Sequence, residues 1–198
     1  MGQEKPKNMN LKFDAVNFFR IWKLICETKT SKLLALWDRR KEYTSEVFDS
    51  DDAIVLQLEK HLQLKAQNNH YSIDTIFYDQ ILDRVHCVPI EQAWVHDIRI
   101  AFEHEHVFQT GLFQEVSHLL ITRADLRVLV SYPNNEDELR TELINLGKII
   151  SDSDLGKSDP NFLLITGQRD NLKTQINWSA FSYQNGALLP LNTGSDLE

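Results

Sequence analysis

Residues 96–106 (HDIRIAFEHEH) alternate so regularly that they read as a β-strand with two unlike faces. Ile98, Ile100 and Phe102 fall on one side, and Asp97, Arg99, Ala101, Glu103 and Glu105 on the other. The apolar side requires a core, so the acidic side is expected to be the open one. Side chains two residues apart on a strand share a face, with Cα atoms about 6–7 Å apart. Two ionised carboxylates at that spacing repel, and a cation between them or a raised pKa on one relieves the repulsion.

The rest of the chain supplies layers for that strand. Residues 10–28 repeat Leu11, Ala15, Phe18, Trp22 and Ile25 at helical spacing. Thr30 or Ser31 can cap a second helix to about Tyr43, with Arg39, Arg40 and Lys41 in its last turn, where cations suit the helix dipole. Together they predict a helical hairpin whose Phe18, Phe19 and Trp22 form core or a dimer face. Ser50 caps a third helix, carrying Ile54, Leu58 and Leu62 and ending near Gln67, with a turn at Asn68-Asn69. Residues 71–78 (YSIDTIFY) read as a strand and residues 79–91 as a connection. Leu112, Val116, Leu119 and Leu120 mark an amphipathic helix to about Arg123, and residues 126–132 (LRVLVSY) a strand buried on both faces. Asn135 and Glu138 open a further helix with a capping-box-like pair. Residues 162–167 and 177–183 complete the strands, the last followed by an Asn185-Gly186 turn. The order α-α-α-β-β-α-β-α-β-β predicts an α/β (α+β) fold, a central mixed sheet flanked by helices. The expected divisions are a helical extension over 1–48, a core over 49–192 and a flexible tail over 193–198.

Charge is unevenly spread. Residues 1–43 carry +5, and the remainder −13, for a net −8. A basic surplus suited to a phosphate backbone is confined to the N-terminal part, where Arg39, Arg40 and Lys41 beside Trp37 are the candidate nucleic-acid contacts. No apolar run approaches the roughly 20 residues of a membrane span. Cys26 and Cys87 lack metal-ligand spacing, so free thiols in a reducing cytoplasm are expected. The chain has no GxSxG, P-loop or GxGxxG motif. His104 and His106 with His118 do not make a clear zinc set, since no fourth ligand is placed.

The order helix, strand with Asp, strand with a carboxylate pair, amphipathic helix, buried strand resembles the PD-(D/E)xK, or restriction-endonuclease-like, nuclease superfamily over about 40% of the chain. The resemblance rests on Asp74 in SIDTIF and Glu103 in AFEHE. It implies that Asp74 and Glu103 bind Mg²⁺ or Mn²⁺, with the His104 carbonyl as a further ligand and Glu59 as an auxiliary acid from the preceding helix. It also implies a nuclease acting on DNA or RNA, and a homodimer through the N-terminal helices. Two positions depart from the pattern: Ile73 stands where a Pro is usual, and Glu105 fills the lysine position. Glu105 would orient or deprotonate the attacking water, and His118, on the helix beside Glu115, would act as proton donor or phosphate contact. The competing expectation is a non-catalytic adaptor or regulatory protein on the same fold, favoured by the acidic body and the missing lysine.

Overall fold

The computed structural model describes residues 13–79, 95, 97–108, 112–153 and 161–193. The connection expected over 79–91 and the tail expected over 193–198 lie almost entirely outside the described residues.

Four helices come first: α1 (Ala15–Thr28), α2 (Thr30–Leu36), α3 (Arg40–Phe48) and α4 (Ile54–Leu62). The strands are β1 (Lys65–His70), β2 (Ile73–Tyr78), β3 (Ile98–Glu105), β4 (Leu126–Ser131), β5 (Phe162–Arg169), β6 (Ile176–Gln184) and β7 (Ala187–Pro190). Helix α5 (Leu112–Ile121) joins β3 to β4, and α6 (Glu136–Asp152) joins β4 to β5. One mixed seven-stranded sheet has its strands in sequence order, with β3, β4 and β5 parallel and every other neighbouring pair antiparallel.

Each face of the sheet is covered. On one, Phe18, Trp22 and Ile25 of α1 and Ile54, Leu58 and Leu62 of α4 share a cluster with Phe77, Phe102, Val128 and Ile165 of the strands. On the other, Leu112, Val116 and Leu119 of α5 and Leu139, Leu146 and Ile150 of α6 meet Ile76, Ala101, Leu129 and Leu164. The α1 aromatics are thus engaged within the chain; the Trp22 and Phe102 ring centroids are 5.8 Å apart. Strand β4 is buried along its whole length, as its continuous apolar run requires. Among the described residues no helix is long and apolar enough to cross a membrane.

Several local expectations need correction. The helix expected from Thr30 to Tyr43 stops at Leu36 and restarts at Arg40. Arg169 at the end of β5 pairs with Asp38 (3.0 Å) and lies over the Trp37 ring, a tertiary contact that holds residues 37–39 out of the helix. The basic run therefore opens α3 instead of closing α2. The third helix begins at Ile54 rather than after Ser50, because Asp52 is drawn to Lys29 (2.8 Å). It ends at Gln63, whose φ of 55° is left-handed. The chain then runs on without a stop at Asn68-Asn69, forming an edge strand, β1, paired with β2. Ile98 does not share a face with Ile100 and Phe102. A register shift opposite Phe77 and Tyr78 leaves Arg99 as an extra residue, and Ile98 packs into the α5–α6 cluster.

Gly167 of β5 marks the closest packing on the α1 side. A Cβ there would lie 2.8 Å from Trp178 and 3.1 Å from Tyr132. Gly167→Ala is expected to cost about 1–3 kcal/mol, the usual range for overpacking, read as a lowered urea midpoint with unchanged slope.

Candidate metal centre

Asp74 and Glu103 come together through register. Thr75 pairs with Phe102 in the antiparallel β2–β3 ladder, which sets Asp74 beside Glu103 on the face covered by α5. The two residues cross-link the strands: the Asp74 N–H donates to Glu103 Oε2 (3.1 Å), and the His104 N–H donates to Asp74 Oδ2 (2.9 Å). The expected open acidic face is roofed instead, and Glu103 is fully buried.

Helix α5 completes the group. Its apolar stripe seats it on the sheet, and Glu115 and His118, one turn apart, flank that stripe and reach Glu103. His118 Nδ1 lies 3.6 Å from Glu103 Oε1 and 3.4 Å from Glu115 Oε2. Among the described residues, one ligand atom each from Glu103, Glu115 and His118 lies within 4.8 Å of the others. Arg127 of β4 fixes the end of α5. Its guanidinium donates to the carbonyls of Leu119 (3.0 Å), Thr122 (2.8 Å) and Ala124 (3.1 Å).

The electrostatics follow from three neighbouring carboxyl groups, one fully buried and two partly buried. Burial, then the charges of Asp74 and Glu115, push Glu103 up to about 10. Burial likewise raises Asp74, against the opposing effect of the His104 N–H. Burial and the charge of Asp74 raise Glu115. Glu103 therefore holds a proton at neutral pH unless another positive charge replaces it. Glu103 Oε1 and His118 Nδ1 are both buried without a hydrogen-bond partner. Such orphaned atoms are uncommon and call for a physical explanation. Two oxygen donors and one imidazole nitrogen, with Asp74 as a neighbouring third carboxylate, fit a divalent cation.

The other sequence-derived candidates lie elsewhere. The Glu105 carboxylate, at the last residue of β3, turns back to accept from the Val107 N–H (2.5 Å) and is not in the group. Glu59 accepts from the Ala66 N–H (2.9 Å) and pairs with Lys65 at the start of β1. Of His104, expected to contribute its carbonyl, the ring points to the opposite face, where Nε2 hydrogen-bonds the Tyr132 hydroxyl (2.8 Å), while its N–H holds Asp74. Arg39, Arg40 and Lys41 are exposed at the α1–α3 side of the molecule. Glu115 is the residue that sequence reasoning did not place in the site, although the Glu-x-x-His spacing on an amphipathic helix was a visible signal.

Compared with protein-family models, curated proteins and solved structures, the chain finds no match. The fold and the cluster nevertheless define a class: an α/β protein carrying a candidate acidic–histidine metal-binding site on its central sheet. This combination is consistent with the broad group of metal-dependent, nuclease-like proteins.

Proposed function

We propose that the chain is a divalent-metal-dependent phosphodiesterase acting on nucleic acid, DNA in the first instance and RNA as the alternative substrate. The observation that carries this reading is the convergence of Glu103, Glu115 and His118 within 4.8 Å, with buried and unpartnered atoms on Glu103 and His118. Asp74, Glu103, Glu115 and His118 would hold Mg²⁺ or Mn²⁺, and the imidazole makes Mn²⁺ the better fit. When bound, such an ion polarises a phosphoryl oxygen and lowers the pKa of its water. The β2–β3 cross-links through the Asp74 and His104 N–H groups keep the two strand carboxylates in place. The α5 stripe seats Glu115 and His118, which are about one-fifth exposed, beside the buried Glu103. His118 Nδ1, 3.6 Å from Glu103 Oε1 and 3.4 Å from Glu115 Oε2, would supply the nitrogen donor of the set.

The test is cleavage of single- and double-stranded DNA and of RNA with Mg²⁺ or Mn²⁺. Asp74→Asn, Glu103→Gln and Glu115→Gln are each expected to lower the rate at least about a hundredfold, since even outer-shell partners of metal ligands are worth 10–100-fold. Equal rates in all four proteins would overturn the assignment. One observation favours a second reading, a non-catalytic binding protein: Glu105 occupies the lysine position of the resembled family, and its carboxylate is spent on the chain's own turn. Calorimetric titration separates the two, because Mn²⁺ binding lost in Glu103→Gln supports the enzyme and no binding supports the adaptor.

A further inference from the structure

The parallel strands β3, β4 and β5 end at Glu105, Ser131 and Arg169, and beyond these ends a cavity opens toward the face of the sheet opposite the Glu103 carboxylate. In open α/β sheets, the crevice outside the carboxyl ends of the strands is where ligands settle. Here that crevice is a cavity of about 760 Å³, within the range of small-molecule sites. Its walls include His106 just past β3, Tyr132 just past β4, and Gln168 and Arg169 at the end of β5.

The lining has three chemical features. The first is aromatic: Tyr132 is stacked on His106 with centroids 5.1 Å apart, and Trp37 stands edge-on to Tyr132 at 5.3 Å. Arg169 lies over one face of Trp37 and Tyr132 over one face of His106, so a flat ligand would meet the remaining surface of these half-buried rings. The second is charge. Arg169 is paired with Asp38, Asp170 accepts from Thr174 and Gln175 while keeping its charge, and Glu136 adds a further carboxylate to the lining. Arg40 has no ion-pair partner among the described residues, which leaves it as the cation free to meet an anionic group. The third is amide: Asn134, Gln168, Asn171 and Asn177 ring the cavity. Side-chain amides pair a donor with an acceptor in the spacing that reads the edges of nucleobases. His106 Nε2 and His104 Nδ1 are buried nearby without hydrogen-bond partners. Burial and then the Arg40 charge hold His106 down to about 4, so its ring is neutral at physiological pH.

We infer that this cavity is a nucleotide seat: ring surface for a base at Trp37 and His106, amides at Gln168 and Asn177 for its edge, and Arg40 for one phosphate. The mixed charge of the walls disfavours a bare anion, and the amide ring disfavours a purely apolar ligand. The inference rests on the cavity alone and stands whether or not the carboxylate cluster cuts anything. The nucleotide is either free or part of a strand, and both share the chemistry named.

The test is calorimetry on the full chain in EDTA, which removes hydrolysis from the readout. The probes are AMP, GMP, CMP and UMP, a 5′-phosphorylated tetrathymidylate, ribose 5-phosphate and inorganic phosphate. At least one mononucleotide or the short strand is expected to bind, in the micromolar range. Arg40→Glu and Asn177→Ala, both at exposed positions, should weaken that binding about tenfold or more, with unaltered melting. Lys148→Ala, at an exposed position of α6 outside both sites, should leave it unchanged. Mononucleotide binding identifies a free ligand, and binding of the strand alone identifies a polymer end. Failure of every nucleotide probe overturns the inference. So does ribose 5-phosphate or phosphate binding as tightly as the best nucleotide, or an affinity indifferent to both substitutions.

Discussion

Glu103→Gln is expected to stabilise the metal-free protein at alkaline pH and to flatten its pH dependence. The sign comes from proton counting. Burial and two neighbouring carboxylates raise Glu103 in the folded chain from 4.5 to about 10. Between those values the folded state holds a proton that the unfolded state has released, so stability falls as pH rises. Asp74 and Glu115 are raised in the same sense. His104 and His106, held down by burial, act oppositely, but only below their ordinary value of 6.5. Between pH 7 and 8 the Glu103 proton therefore dominates, worth up to about 1.4 kcal/mol per pH unit, and the buried Cys26 thiol, raised above its ordinary 9.0, adds to the slope in the same sense only toward pH 9. Gln fills the same space and cannot ionise, so its variant should lose that slope. Urea midpoints in EDTA at pH 7, 8 and 9 measure it. Parallel curves for the two proteins would mean that Glu103 is not the proton holder. Saturating Mn²⁺ should reverse the trend in the wild type, because metal binding must displace the Glu103 proton and so tightens as pH rises. The Gln variant should gain little from the ion.

How much of this was legible in the sequence depends on which physical signal set each element. The alternation of residues 96–106 was strong enough to identify β3, and the apolar run of residues 126–132 to identify β4 as doubly buried. The face of Ile98 was not legible, because it depends on a bulge set by the partner strand. Strand β1 (KAQNNH) has no β-branched or aromatic residue. It is an edge strand whose side chains alternate between exposed and partly buried, held by pairing with β2 and not by its own preference. The break after Leu36 comes from Arg169, far along the chain. The pairing of Asp74 with Glu103 was accessible from strand geometry and family resemblance. The loss of Glu105 from the group was not, since strand periodicity holds only while the strand continues, and β3 ends at Glu105. His118 was named from the sequence as lying off the apolar stripe of α5, whereas placing Glu115 beside Glu103 needed the rotation of α5 about its axis, which Leu112, Val116 and Leu119 set by packing on the sheet.

That rotation depends on Arg127, and Arg127→Ala is expected to be the most damaging single substitution. The guanidinium is almost fully buried in an otherwise apolar strand, and its donors serve the carbonyls of Leu119, Thr122 and Ala124. The last carbonyls of a helix have no intrahelical partner, and a basic side chain there both bonds them and meets the negative end of the dipole. Truncation removes the charge and its contacts together: the half-buried carbonyls of Thr122 and Ala124 lose the guanidinium, and the Leu119 carbonyl keeps only the Thr122 N–H. A loss of about 3–5 kcal/mol is expected. Lysine keeps the charge but cannot fork across three acceptors, so Arg127→Lys should recover only part of it. The consequence for the site separates this role from general support of the core. His118 and Glu115 lie on the helix that Arg127 anchors, so hydrogen exchange should rise selectively over residues 116–124, and Mn²⁺ affinity should fall at least about tenfold under conditions where the variant is still folded. Gly167→Ala, which strains the opposite face of the sheet, serves as the control: at comparable destabilisation it should leave Mn²⁺ affinity close to wild type. Equal loss of affinity in both variants, or none in Arg127→Ala, would show that the end of α5 does not set the geometry of the carboxylate cluster.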